Sequence, residues 1–141
     1  MRATTTPTSH ARLGLASRVT LAGEILLTYA QVRRSLRRND LPTVLRALRS
    51  AKASVAAPYP VASGRRLGDA VRRTLGLLPT DSRCLMQSLV LTALLARRGV
   101  DTRLVIAVRP GERFAAHAWV EHADEALLPA GAPAFEQLVT L

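Results

Sequence analysis

The stretch from Asp81 to Gly99 leaves this chain the least freedom. Asp81 and Ser82 are N-capping residues, Cys84 to Ala96 is apolar on nearly every side, and Arg97-Arg98-Gly99 supplies cations for a last turn and a glycine to end it. A helix that is apolar all round has to be wrapped by other elements. The chain has 141 residues, 48% of them hydrophobic, which is enough for one core around such a helix and too little for two. The expectation is therefore a frayed tail over residues 1–12, rich in Thr and Ser, and a single domain over 13–141. That domain divides into a basic helical half, 13–79, and a second half, 80–141, that holds the central helix and the β-rich segments after it.

The flanking segments give the rest of the layout. Leu13 to Arg38 shows helical spacing (Leu15, Val19, Ala22, Leu26, Leu36) and ends in Arg33-Arg34-Ser35-Leu36-Arg37-Arg38. Asn39 or Asp40 can cap a second helix with Pro42 in its first turn and Leu41, Val44, Leu45 and Leu48 on one side, running to about Ala53. Pro58, Pro60 and Gly64 mark a loop, and Ser63 or Gly64 opens a third helix whose Leu67, Val71, Leu75 and Leu78 form one stripe before Pro79. After Gly99 the pattern changes to two β-rich runs, Thr102 to Val108 and Phe114 to Glu121, around the turn Arg109-Pro110-Gly111-Glu112. These form a hairpin, with a short third strand at Ala126-Leu127-Leu128 and a terminal segment from Phe135 to Leu141. The fold class is α+β: helices packed with the Cys84 helix against a small antiparallel sheet.

Charge and composition narrow the function. Residues 1–80 carry 14 basic and 3 acidic side chains, net +11, whereas 81–141 carry 6 and 7, net −1. The basic half reads either as solvated helix ends that offset their dipoles or as a non-catalytic adaptor surface for an acidic peptide or an anionic membrane. Aromatic residues make up 4% of the chain, too few for the stacking platforms of single-strand binding, and no nucleic-acid motif is present. One cysteine and three scattered histidines (His10, His117, His122) allow no internal disulfide and make a poor zinc set, so no metal or cofactor is expected. Val19 to Val32 is interrupted by Glu24, Thr28 and Gln31 and is shorter than a membrane span, which leaves a cytoplasmic protein as the expectation.

Cys84 falls in the first turn of the central helix, where unpaired N–H groups favour a thiolate over a thiol. Alone it reads as an ordinary buried cysteine. In Ala116-His117-Ala118-Trp119-Val120-Glu121, strand alternation puts His117, Trp119 and Glu121 on one face and Ala118 with Val120 on the other. Helix, strand, strand is the order in which papain- and transglutaminase-like enzymes present a nucleophile and its base, and a base beside Cys84 could take its proton and return it to a leaving amine.

Four segments taken together resemble one known family. Cys-Leu-x-x-Ser-Leu at 84–89, Arg-Arg-Gly-Val at 97–100, Ala-Val-Arg at 107–109 and Ala-His-Ala-Trp-Val-Glu at 116–121 look like the transglutaminase-like leader peptidase of lasso peptide biosynthesis. The similarity extends through Leu41-Pro42-Thr43-Val44-Leu45-Arg46 and covers about residues 12–141. It implies a stand-alone cysteine peptidase that removes the leader from a ribosomally made precursor, freeing an amine for a separate ATP-dependent cyclase. By the same resemblance Cys84 is the nucleophile, His117 the general base and acid, and a small partner protein presents the leader.

The group that orients His117 stays open at this level. If the chain turns at Ala123 and Asp124, the position opposite His117 falls near Pro129 or Ala130, where the family has an acid. Glu121 is about 13 Å along the strand, Asp124 and Glu125 read as turn residues, and Glu136 needs the terminal segment to fold back. A backbone carbonyl or a bare dyad are the remaining options. The Cys84 N–H is the expected oxyanion donor, with no second one evident. Gln87, one turn on from Cys84, reads as solvent-facing in preference to site-lining, and Trp119 either shields the imidazole or fills the core.

Overall fold

The computed structural model describes residues 14–50, 59–79, 83–111, 115–130 and 136–141. Helices α1 (Leu15–Leu36), α2 (Leu41–Ser50), α3 (Val61–Leu75) and α4 (Arg83–Arg97) precede strands β1 (Arg103–Arg109), β2 (Ala115–His122), β3 (Glu125–Ala126) and β4 (Glu136–Thr140). The sheet is antiparallel in the order β3-β2-β1-β4, an α+β arrangement. The tail over 1–12, the Asp81–Ser82 cap, the end of the second helix near Ala53 and the strand ends at Phe114 and Phe135 lie outside the described residues.

Helix α4 is the centre of the molecule. Every residue from Ser88 to Ala96 is buried, and α1, α2, α3 and β2 all pack against it, as an all-round apolar helix requires. Its end is built as the sequence implies: Gly99 takes φ +75°, the Gly99 N–H donates to the Ala96 carbonyl, and the Val100 N–H donates to Leu95. That is a Schellman motif, and it turns the chain into β1. Arg97 donates to Thr28 and Gln31, and Arg98 to Glu24, so the last turn of α4 is fastened to α1.

Helix α2 starts where expected, with the Thr43 N–H donating to the Asp40 carboxylate at 3.0 Å. Helix α3 begins at Val61, earlier than the Ser63 or Gly64 opening, because Pro60 already occupies the extended N-cap conformation (φ −63°, ψ 137°) and no side chain is needed there. Leu67, Val71 and Leu75 are its buried stripe, and Leu78 lies beyond its end. On α1 the expected spacing marks the helix but not its buried face. Ile25, Thr28 and Val32 face the core, while Leu15, Val19, Leu26 and Leu27 are exposed.

The β1–β2 hairpin pairs Val105 with Trp119 and Ala107 with His117. Ala123 and Asp124, both with positive φ, form a two-residue turn of the primed type that matches strand twist, and β3 then pairs back on β2. The third strand is Glu125–Ala126, one register earlier than the run Ala126-Leu127-Leu128. Leu127 and Leu128 instead enter the core against α3, where Gly64 and Gly68 make room for them. The terminal segment does fold back: β4 pairs with the outer edge of β1, and Arg49 donates to the Thr102 and Leu141 carbonyls, tying α2 to both. No helix among the described residues is long and apolar enough to cross a membrane.

Candidate active site

One open cavity of about 560 Å³ gathers residues from three parts of the fold. The first turn of α4 contributes Arg83, Cys84 and Gln87; β2 contributes His117 and Ala118; the segment after β3 contributes Leu128 and Pro129. Its remaining wall is the α3 face made by Asp69, Arg72, Arg73 and Gly76, spaced i, i+3, i+4, i+7 opposite that helix's apolar stripe. Cys84 is the single cysteine of the chain and is half-buried. The Ser88 hydroxyl, fully buried, donates to the Cys84 carbonyl at 2.8 Å, so the serine of the Cys-Leu-x-x-Ser-Leu segment braces the turn that presents the sulfur. Cys84 is the second residue of α4 as described, and the N–H groups of a helix's first turn are the donors that an oxyanion can use.

His117 is oriented from behind. Its Nε2 lies 2.7 Å from the Pro129 carbonyl oxygen. A carbonyl only accepts, so Nε2 carries a hydrogen, and in the neutral ring Nδ1 is then the nitrogen that bears the lone pair. The expected acid opposite His117 is replaced by a main-chain oxygen at the position the β2–β3 register indicates. Its possible side-chain alternatives are occupied or distant. Glu121 accepts from Trp119 Nε1 at 3.0 Å and from Arg103, Asp124 pairs with Arg103, and Glu125 pairs with Arg65. Glu136 sits on β4 opposite Val108, with β1 between it and β2, roughly 10 Å across two strand spacings.

Trp119 is buried, and its ring stacks on His117 with centroids 5.8 Å apart and planes at 28°. The shared face of His117, Trp119 and Glu121 is thus realised, and the indole both fills the core and limits the imidazole's movement. Gln87 departs from the solvent-facing reading, since it lines the cavity one turn above Cys84. His122 takes a different part, its two ring nitrogens lying 2.8 Å and 3.2 Å from the carbonyls of Asp101 and Tyr59, where it joins the start of β1 to the start of α3. Sequence reasoning did not place Arg72, Arg73 and Arg83 at the site. The signal was present only as a second, polar i, i+3, i+4 face on α3. No group of three or more His, Cys, Asp or Glu among the described residues could hold a metal ion.

A helix-start cysteine and a strand histidine opening into one cavity, on a helical domain with a small antiparallel sheet, define a papain- or transglutaminase-type site. Comparison with known families agrees: the model of the transglutaminase-like superfamily matches residues 10–140, and the chain belongs to that superfamily. Membership points to cysteine peptidase or acyl-transfer chemistry. No curated protein and no solved structure matches the chain significantly.

Proposed function

We propose that this protein is a cysteine peptidase that removes the leader from a ribosomally synthesised lasso precursor peptide. The observation that carries the reading is the cavity shared by Cys84 and His117, with the imidazole held by Pro129 in the tautomer that leaves Nδ1 as the base. His117 Nδ1 takes the thiol proton, Sγ bonds to the scissile carbonyl carbon, and the oxyanion rests against the N–H groups at the start of α4. The C–N bond then breaks as His117 returns the proton to the leaving amine, which becomes the new N-terminus of the core peptide. Water, deprotonated by the same imidazole, attacks the thioester and releases the leader carboxylate and the free thiol.

The lasso assignment rests on the Cys84 to Leu89 and Ala116 to Glu121 segments and their separation. It brings with it a cytoplasmic setting, a small leader-binding partner and a downstream ATP-dependent cyclase. The exposed Leu15, Val19, Leu26 and Leu27 on α1 are consistent with a chain that works docked on another protein. The test is mass spectrometry of a candidate precursor incubated with the leader-binding partner and either wild-type protein or Cys84→Ala. Leader loss with wild type alone supports the peptidase. A product heavier than the hydrolysis product by an added amine, without gain of water, supports transamidation at the same thioester. Equal behaviour of the two proteins refutes both.

A second reading has its own observation. Arg33, Arg34, Arg37 and Arg38 with Tyr29 and Ala30 enclose a shallow basic cleft of about 510 Å³ at the end of α1, which suits an adaptor holding an acidic leader or an anionic membrane surface. That reading expects leader binding by the Cys84→Ala variant that falls steeply as salt is raised.

A further inference from the structure

The cavity that Cys84 lines is rich in cations. Arg72 and Arg73 come from α3 and Arg83 from α4, while among the described residues Asp69 is the single acidic one lining the space and pairs with Arg72 at 3.6 Å, so the described lining side chains other than His117 carry a net +2. Arg72 and Arg73 lie in the last turn of α3 and there offset its dipole. Dipole compensation does not account for Arg83, which stands in the first turn of α4, the end at which a cation is unfavourable. Three arginines from two helices therefore line the space that Cys84 and His117 also line, and the Arg83 guanidinium has one further contact, a long one of 3.5 Å to the Leu78 carbonyl.

We propose that Arg72, Arg73 and Arg83 form a carboxylate-binding subsite, and that the peptide substrate presents an acidic group close to the bond attacked by Cys84. The proposal rests on the peptidase reading above and adds the substrate's charge to it. A cavity of about 560 Å³ is about 10 Å across if taken as a sphere, the span of about three extended residues. The carboxylate accordingly lies within about three residues of the scissile bond. Guanidinium is suited to it, offering paired N–H donors to two carboxylate oxygens. Two sources share this chemistry, an Asp or Glu side chain and the free C-terminus of a short peptide, and the experiment separates them.

The first arm needs no substrate. Cys84 is the one cysteine in the chain, so alkylation reports on this cavity alone. Iodoacetate and iodoacetamide differ in charge and hardly in size, and the ratio of their rates cancels changes in thiolate fraction because both attack the same sulfur. The ratio for wild-type protein is expected to exceed that of N-acetylcysteine, and to fall about fivefold in Arg72→Gln/Arg73→Gln and again on adding Arg83→Gln, fivefold being about the 1 kcal/mol that a unit charge about 4 Å away exerts in water. High salt should narrow the difference. A ratio unchanged by the substitutions overturns the subsite and leaves Arg72 and Arg73 as dipole partners of α3 and Arg83 as a donor to the Leu78 carbonyl.

The second arm measures kcat/KM for peptides differing as Asp or Asn at each of three positions on either side of the cleaved bond, and for free or amidated C-termini. Preference for Asp identifies a side-chain carboxylate, preference for the free acid a terminal one, and each should vanish in the double variant. Equal rates throughout overturn the proposal even where cleavage is efficient. An arginine-dependent alkylation ratio with no cleavage of any peptide or precursor sinks the peptidase reading and leaves the anion subsite standing.

Discussion

Replacing Gly68 by alanine tests whether the packing of α3 governs the orientation of the His117 imidazole. A Cβ at Gly68 would lie 2.5 Å from the Leu127 carbonyl oxygen and 3.3 Å from Leu128 Cδ2, whereas real Cβ contacts essentially never fall below 3.0 Å. Backbone faces backbone, so α3 and the 127–129 segment must part by about 0.5 Å or more. Overpacking of this kind costs about 1–3 kcal/mol, against a gain of about 0.5–1 kcal/mol for alanine over glycine inside a helix. The net runs from about zero to a loss of about 2.5 kcal/mol, with the middle of the two ranges at a loss of about 1 kcal/mol, or a Tm lower by about 3–4 °C for a domain of this size. Gly23, in the middle of α1, is the control: nothing lies within 4 Å of its Cβ position, and Gly23→Ala should raise Tm by about 2–3 °C. Gly64 is intermediate, because the atoms met at 3.0 Å are the Leu127 methyls, which can rotate, and Gly64→Ala should be close to neutral. Because Leu127 is two residues before Pro129, Gly68→Ala should also reduce precursor cleavage about tenfold, since displacements near 1 Å cost up to about a hundredfold. Thermal melts and cleavage rates on the three variants decide it. Stabilisation by Gly68→Ala equal to that of Gly23→Ala would refute the packing argument, and a lowered Tm with an unchanged rate would refute the link to His117.

If the Pro129 carbonyl orients His117, Glu121→Gln, Asp124→Asn, Glu125→Gln and Pro129→Ala should each keep cleavage within about fivefold of wild type, whereas losing an orienting side chain costs roughly a thousandfold or more; a collapse in any one identifies a carboxylate partner or a requirement for the proline ring. Thr92 is buried with its hydroxyl unpartnered, so Thr92→Val should stabilise the protein by about 1 kcal/mol in urea denaturation, and destabilisation would mean the hydroxyl has a use. Asp40 is held below its ordinary carboxylate value of 3.8, first by the Thr43 hydroxyl and then by the Thr43 N–H. Its contribution is present above that value and lost as pH falls through the lower folded one, so the stability difference between wild type and Asp40→Asn should be flat from about pH 5 to 8 and should shift against wild type only below about pH 4. A difference that changes between pH 5 and 8 would show that another group governs it.

The parts of the fold legible in the sequence are those fixed by local chemistry. The Asp40 cap of α2, the Gly99 ending of α4, the apolar girth of α4 and the β1–β2 alternation each rest on residues that lie close together in the chain. Non-local pairing was less visible. β4 is an exposed edge strand, Glu-Gln-Leu-Val-Thr, whose place beside β1 is set by the ladder and by Arg49, and nothing in those five letters states either. The exposed α1 stripe has the same spacing as a buried one, because periodicity reports a face and not what covers it. At the site, the expected turn pointed to Pro129 or Ala130 and left a backbone carbonyl among the options, and in the structure it is the Pro129 carbonyl that meets His117. The arginine wall was illegible because it is assembled from two helices that meet only in the folded chain.

A carbonyl oxygen is the one acceptor that every residue carries, so the group behind His117 is encoded by the path of the chain and not by the letter at position 129. That letter is free to drift among residues that keep the path, and a search for triads by side-chain type would pass over such a site. Selection on the acceptor would instead be felt at Gly64, Gly68 and the Ala123–Asp124 turn, the places that set where the main chain runs.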